Sequence, residues 1–306
     1  MRSHYEYSTL AESPDAPSAS PVRPAPSRHI GAFFPTDTNR PTIISGEVDT
    51  MKTTGNTILI TGGGSGIGRG LAEAFHKLGN KVIIAGRRQQ VLDETTSANP
   101  GMASAVLNIE DAASVRAFAA KLTADYPSLN VVINNAGIMR PENVLSQSPD
   151  LADAEATITT NLLGPIRLTA ALLPHLLKQP HANIMTVSSG LAFVPMAITP
   201  TYCATKAAIH SYSESLRYQL KSTNVEVIEL APPYVQTELM AGQATDPRAM
   251  PLKDYLAETI EILNTQPNST EVLVERVKPL RFAASNGKEK YDAFFKQFND
   301  ARMAPH

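Results

Sequence analysis

The chain has 306 residues, 42% of them hydrophobic and 18% charged, with a formal net charge of -2. That composition suits a globular protein in water, and its near-neutral balance offers no basic face to nucleic acid or to an anionic membrane surface. The lone cysteine, Cys203, excludes an intrachain disulfide, argues against a thiolate metal site and fits a reducing, cytoplasmic setting, while no apolar run approaches the ~20 residues of a membrane span.

Residues 1–52 carry seven prolines and seven serines without an apolar period. Such a segment cannot offset the entropy of ordering, and a disordered extension is expected. It lacks the continuous apolar core of a signal peptide. Its scattered acids (Glu6, Glu12, Asp15, Asp37, Glu47, Asp49) do not suit a transit peptide. Met51 leaves open a later start of the chain.

From residue 53 to 306 a single domain is expected. Short β-rich runs at 57–61, 81–85, 103–107, 130–134, 183–188, 225–230 and 271–275 alternate with helical patterns such as GRGLAEAFHKLG and DAASVRAFAAKLTADY. The first six runs are largely apolar rather than strictly alternating, as in strands covered on both faces. The alternation predicts an α/β fold, a Rossmann-type doubly wound parallel sheet of about seven strands flanked by helices.

The first run leads into TGGGSGIGRG, with Gly62, Gly66 and Gly68 spaced G-x-x-x-G-x-G between strand and helix. Glycine allows the tight turn and lets backbone N–H groups approach a pyrophosphate at the helix N-terminus. A plain glycine turn is the alternative. The second run ends in IIAGRR: Gly86 stands where a carboxylate would hold an NAD ribose, and Arg87 and Arg88 follow. NADP(H) is therefore expected over NAD(H), since guanidinium attracts a 2′-phosphate. Two arginines solvating a helix start would read the same.

Further on, Tyr202 and Lys206 lie four residues apart at the start of a helix, with Thr199 and Pro200 as its N-cap and first-turn residues. An ordinary tyrosine has a pKa near ~10, and a cation one turn away favours the phenolate. The pair is thus either a surface contact or a tuned acid/base.

Together these segments resemble the short-chain dehydrogenase/reductase family over residues 56–240. TGGGSGIG resembles its T-G-x-x-x-G-x-G loop, NNAG (Asn134 to Gly137) its strand-four signature, YCATK its Y-x-x-x-K and PPYVQT (232–237) its P-G-x-V-x-T. The stretches TPTYCATKAAIHSYSESLRYQL, APPYVQTEL and EVLVERVKPLRFA are similar to the DltE-like branch, whose name fixes no substrate. The resemblance implies an oxidoreductase with Tyr202 as acid/base, Lys206 tuning it and reaching the nicotinamide ribose, Ser189 on the substrate oxygen and Asn161 in a proton relay. Ser188 is the rival for the serine role, but alternation sends neighbours to opposite faces and the thirteen-residue spacing favours Ser189.

For the cofactor the resemblance implies contacts from Gly62, Ser65, Gly66, Ile67, Gly68, Arg87, Arg88, Asn108, Ile109, Asn135, Ala136, Gly137, Tyr202, Lys206, Pro232, Val235 and Thr237. Two departures stand out: Asn108 replaces a frequent aspartate, and Pro233 replaces glycine, removing one N–H donor. The substrate is expected to be a small, moderately apolar carbonyl or alcohol, with residues 238–265 as a lid and Phe193, Met196, Tyr234, Leu239 and Met240 in the pocket. A homodimer or homotetramer through helices around 152–178 and 202–221 is also implied. A non-catalytic nucleotide-binding sensor or scaffold is the alternative. No metal is expected, because the seven histidines show no ligand spacing.

Overall fold

The computed structural model describes residues 52–146 and 150–303, all within one compact unit, Val48–His306. The expected Pro/Ser-rich extension, apart from Lys52, lies outside the described residues. β1 (Thr57–Thr61), α1 (Gly66–Lys77), β2 (Lys81–Gly86), α2 (Gln89–Ala98), β3 (Ala103–Val106), α3 (Ala112–Asp125) and β4 (Leu129–Asn134) form the first half. The second half holds α4 (Ala152–Ile158), α5 (Gly164–Leu176), β5 (Ala182–Val187), α6 (Pro200–Leu220), β6 (Val225–Leu230), α7 (Leu252–Thr265), β7 (Glu271–Val272), α8 (Lys278–Arg281) and α9 (Lys288–Met303).

The strands are all parallel, in the order β3-β2-β1-β4-β5-β6-β7. Their continuous apolar character follows from the period of two. In β1, Ile58 and Ile60 enter one core layer with Leu71 and Phe75 of α1, while Leu59 enters the other with Leu168 and Leu172 of α5. Both layers are closed to solvent. Truncating Phe75, which is fully buried, to alanine would cost about 3–5 kcal/mol.

Chain order reverses between β1 and β4, because the connection after β3 crosses back over the sheet. A crevice opens there beyond the carboxyl ends of the strands, where a doubly wound sheet binds its ligand.

Two elements differ from expectation. The run at 271–275 pairs with β6 only at Glu271 and Val272, because the chain tightens into a 3₁₀ turn at Glu275–Val277. The segment at 152–178 is not one regular helix: Thr159–Leu163 widen into a π-helical turn between α4 and α5. No described helix is long and apolar enough to cross a membrane.

Candidate active site

The turn after β1 needs glycine at two places. Gly62 (φ 68°) and Gly66 (φ 51°) adopt left-handed conformations that side chains disfavour. Gly68 serves close approach instead: a Cβ there would lie 2.3 Å from both Gly62 O and Asn135 Nδ2. Asn135 ties β4 to β1 by donating from Nδ2 to Thr61 O (2.9 Å), while its backbone N–H donates to Thr61 Oγ1 (3.0 Å). Ser65 caps α1 by position without a side-chain bond, and the first turn of α1 holds no acid. Amides, a hydroxyl and a helix N-terminus thus meet at one end of the crevice, a donor set that suits a diphosphate.

The crevice holds two adjoining cavities of about 390 and 320 Å³, which share Gly62, Ser65, Arg88, Ala136, Gly137 and Ile138. This elongated, two-lobed space fits a dinucleotide laid across the switch point. The lobe toward β2 and β3 is lined by Gly86, Arg87, Leu107 and Ile109 among others. Arg87 is tied to Glu110 (Nη1 to Oε1, 2.7 Å), whereas among the described residues Arg88 forms no ion pair. Asn108 is not among the lining residues; its Oδ1 accepts from the Glu110 amide (3.2 Å) and shapes its own turn. The lobe toward β5 and β6 is lined by Gly66, Ile67, Gly68, Asn135, Ser189, Tyr202, Lys206, Pro232, Val235 and Thr237, with Ser188 and Gln243 beside them.

At this end α6 presents its start to the crevice. Thr199 occupies the N-cap position but makes no capping bond. The Glu142 carboxylate does that work from the loop after β4, accepting from Thr201 N (3.0 Å) and Thr201 Oγ1 (2.8 Å). Tyr202 and Lys206 follow one turn apart and both are buried. Lys206 donates from Nζ to Val187 O (2.8 Å) and lies 5.5 Å from the Tyr202 ring centroid.

Burial pushes the Tyr202 phenol well up, against an opposing hydrogen bond with Ser189. The Lys206 ammonium, close to the Tyr202 ring, is turned to Val187 O. Burial pulls Lys206 itself down to about 8, against the pull of Glu229. Ser189 Oγ accepts from Leu191 N (3.1 Å), while Ser188 Oγ is turned to Leu230 O (3.5 Å). Strand alternation thus separates the two serines. Asn161 sits in the π-helical turn behind the crevice, joined to Ile138 O and Ile138 N (both 2.9 Å) and to Thr205 Oγ1 (3.2 Å). Its Oδ1 would be 3.3 Å from a Cβ at Gly137. Such wide turns recur at functional positions.

Behind Lys206, ligand atoms of His210, Glu229 and Glu271 lie within 4.8 Å of one another. Most of these atoms are already engaged: His210 Nδ1 meets Glu229 Oε2 (2.8 Å), and Arg281 donates twice to Glu271 (2.9 and 3.0 Å), while among the described residues Glu229 Oε1 has no hydrogen-bond partner. The guanidinium supplies the positive charge a cation would bring.

Beyond Ser189 and Tyr202 opens a third cavity of about 410 Å³. Met196, Tyr234, Leu239 and Met240 line it, as expected from the sequence. Phe193 does not; its ring meets His210 edge-on at 4.8 Å and lies 4.6 Å from the Arg281 guanidinium. The segment expected as a lid divides. Leu239, Met240, Gln243 and Arg248 reach the cavity, but α7 packs against α1 and its Leu256 abuts Gly70.

Sequence reasoning missed the outer wall, α9, whose Phe298 packs toward Tyr202 and Cys203. Asn299 pins that helix by accepting from Ala197 N (2.7 Å) and donating to Pro195 O (3.1 Å). The aromatic spacing of DAFFKQF was the available signal. Also missed was buried Gln243, which donates to Val235 O (2.7 Å) and Thr237 Oγ1 (3.0 Å) and so braces that loop.

Comparison with known proteins agrees with this fold. The short chain dehydrogenase family matches residues 56–248. The "Uncharacterized oxidoreductase DltE" of Bacillus subtilis (strain 168) is 41% identical over 253 residues, covering 81% of this chain and 98% of that protein. A short chain dehydrogenase from Burkholderia cenocepacia J2315, solved with NADP, superposes with a TM-score of 0.67 at 23% identity, over 84% of this chain and 100% of that one. A short chain dehydrogenase/reductase from Burkholderia phymatum, solved with NAD, also gives 0.67, at 20% identity over 77% and 95% of the two chains.

Proposed function

The chain belongs to the short-chain dehydrogenase/reductase family, and on that premise we propose that it is an NADP(H)-dependent oxidoreductase interconverting a carbonyl and an alcohol. One observation supports this reading: Tyr202, Lys206 and Ser189 line one lobe of a two-lobed cleft whose length fits a dinucleotide. When bound, the nicotinamide supplies or accepts the hydride.

The chain's own residues position the reacting groups and manage the proton. Ser189 donates to the substrate oxygen and stabilises its developing charge. Tyr202 gives a proton to that oxygen or takes one from it. Burial holds the phenol protonated, the form that carbonyl reduction uses, while making it a weaker acid than an ordinary phenol. Alcohol oxidation needs the phenolate, so the Lys206 charge must be brought to bear on it. Asn161, bonded to Ile138 and Thr205, anchors the route by which Tyr202 regains its proton from solvent.

NADP(H) is preferred on the chemistry of β2: Gly86 offers no carboxylate to repel a 2′-phosphate, and Arg88 lines both lobes. Association between copies through the helices around 152–178 and 202–221 would cover Ile158, Leu163, Leu177 and Tyr218, all exposed in the single chain.

The test follows NADPH absorbance against a panel of aldehydes and ketones. Tyr202→Phe should lower turnover by at least about a hundredfold while leaving NADPH affinity intact. Cofactor binding without turnover across the panel would instead favour a nucleotide-binding sensor.

A further inference from the structure

The third cavity is apolar along its length and cationic at its outer end. Met139, Met196, Ile198, Leu239, Met240 and Phe298 form the walls. The charged residues that line it are three arginines, Arg248, Arg276 and Arg302, with no aspartate or glutamate among the lining. They come from three separate places: the loop before α7, the 3₁₀ turn after β7, and the last turn of α9. On a chain with a formal net charge of -2, that convergence is not a general basic surface.

Each arginine is held by contacts that leave other donors free among the described residues. Arg276 donates from Nη2 to Arg248 O (2.6 Å). Arg302 donates from Nη1 to Phe298 O (2.6 Å), with its guanidinium 3.7 Å from the Phe298 ring centroid. Arg248 is framed by Asp246, which accepts from its Nε (3.0 Å) and Nη2 (2.7 Å) and from Tyr234 Oη (3.2 Å). Among the described residues neither Arg276 nor Arg302 has a carboxylate within ion-pair distance. One acid therefore stands against three cations. Burial and then the neighbouring Arg248 charge both weigh against the charged form of Arg302, so an anion there relieves repulsion as well as filling donors.

Resting on the reading that Tyr202 serves a carbonyl oxygen, we propose that the substrate is an amphipathic carbonyl compound. Its apolar body lies along the methionine-lined wall, and it ends in a carboxylate or phosphate held by Arg276 and Arg302, with Arg248 beside them. The expectation of a small, moderately apolar substrate thus gains a charged end.

Calorimetric titration of the NADP⁺-saturated protein with nonanoate, nonyl phosphate and the neutral nonanamide tests this without turnover. At low salt, one anion or both should bind about tenfold or more tightly than the amide, and the stronger of the two identifies the head group. Arg276→Gln and Arg302→Gln should each cut that preference several-fold and together erase it, with NADP⁺ affinity unchanged as the sign of an intact fold. Equal affinity for charged and neutral ligands, a preference that survives the double substitution, or no binding of any of the three overturns the proposal. Failure of the oxidoreductase reading would look different: anion binding that needs both arginines, with no carbonyl reduced. Reduction of nonanal without an anion preference would sink the anion site alone.

Discussion

Replacing Lys206 with methionine should separate stability from catalysis in a way that depends on pH. Lys206 is buried, and burial lowers its pKa from the ordinary 10.5 to about 8, with Glu229 opposing. A lysine whose folded pKa is depressed carries a penalty for being charged in the folded state. Below about pH 8 both folded and unfolded chains hold the proton, and the full penalty applies. Between 8 and 10.5 the unfolded chain binds more protons, so stability rises with pH. Above 10.5 the penalty has gone. A shift of this size corresponds to roughly 3 kcal/mol.

Methionine has a similar stem and no charge, so Lys206→Met escapes the penalty at neutral pH, less about 1 kcal/mol for leaving Val187 O without its donor. Urea unfolding of both cofactor-free proteins should find the variant about 2 kcal/mol more stable near pH 7. Relative to it, wild type should gain about 3 kcal/mol by pH 11. Other groups titrate in both proteins and cancel in the difference. Turnover of the variant should fall by at least about a hundredfold throughout. A stability difference that does not change with pH would refute the argument, because Lys206 would then be as well solvated folded as unfolded.

The other expectations are simpler to read. Gly68→Ala puts a methyl against Gly62 O and against an Asn135 amide committed to Thr61 O; it should cost about 2–3 kcal/mol and abolish cofactor binding. Gly70→Ala meets only the Leu256 side chain and should cost about 1 kcal/mol, with cofactor affinity retained. Equal effects at the two glycines would contradict the packing. Arg88→Ala should weaken NADPH about tenfold or more and leave NADH nearly unchanged, whereas Arg87→Ala, its guanidinium tied to Glu110, should do less. A uniform loss for both cofactors would remove Arg88 from 2′-phosphate recognition. Glu142→Ala should destabilise the protein by about 1–2 kcal/mol, because Thr201 loses its acceptor, and unchanged urea unfolding would show the cap to be worthless.

Much of the architecture was legible because burial on both faces writes strands as apolar runs, and the glycine loop marks where strand meets helix. Tyr202 and Lys206 were legible as a spacing along one helix, and Ser189 through the family resemblance and its thirteen-residue distance from Tyr202. What escaped depends on contacts distant in sequence. Glu142 caps a helix 59 residues away. Asn299 seats α9 against a loop 102 residues earlier, and only that docking makes Phe298 a wall of the pocket. Arg248, Arg276 and Arg302 carry no pattern in the chain, since their meeting is a product of three turns. The π-helical turn was hidden for another reason: TTNLL is compatible with an ordinary helix, and its widening is fixed by the bonds Asn161 makes to Ile138.

That widened turn has a consequence for rotational phase. An extra residue held in a π turn lets the two ends of a helix keep their own angular settings. The Leu168, Leu172 and Leu176 face of α5 therefore stays on the core, whatever direction Asn161 takes. Shortening the turn by one residue would leave that leucine stripe packed but swing Asn161 about 100° around the axis, off Ile138 and away from Gly137. The face that meets the core and the residue that faces the crevice are thus set separately along one helix, and the same deletion would also turn buried Thr157 and Thr160 out of their places, the latter off Glu110.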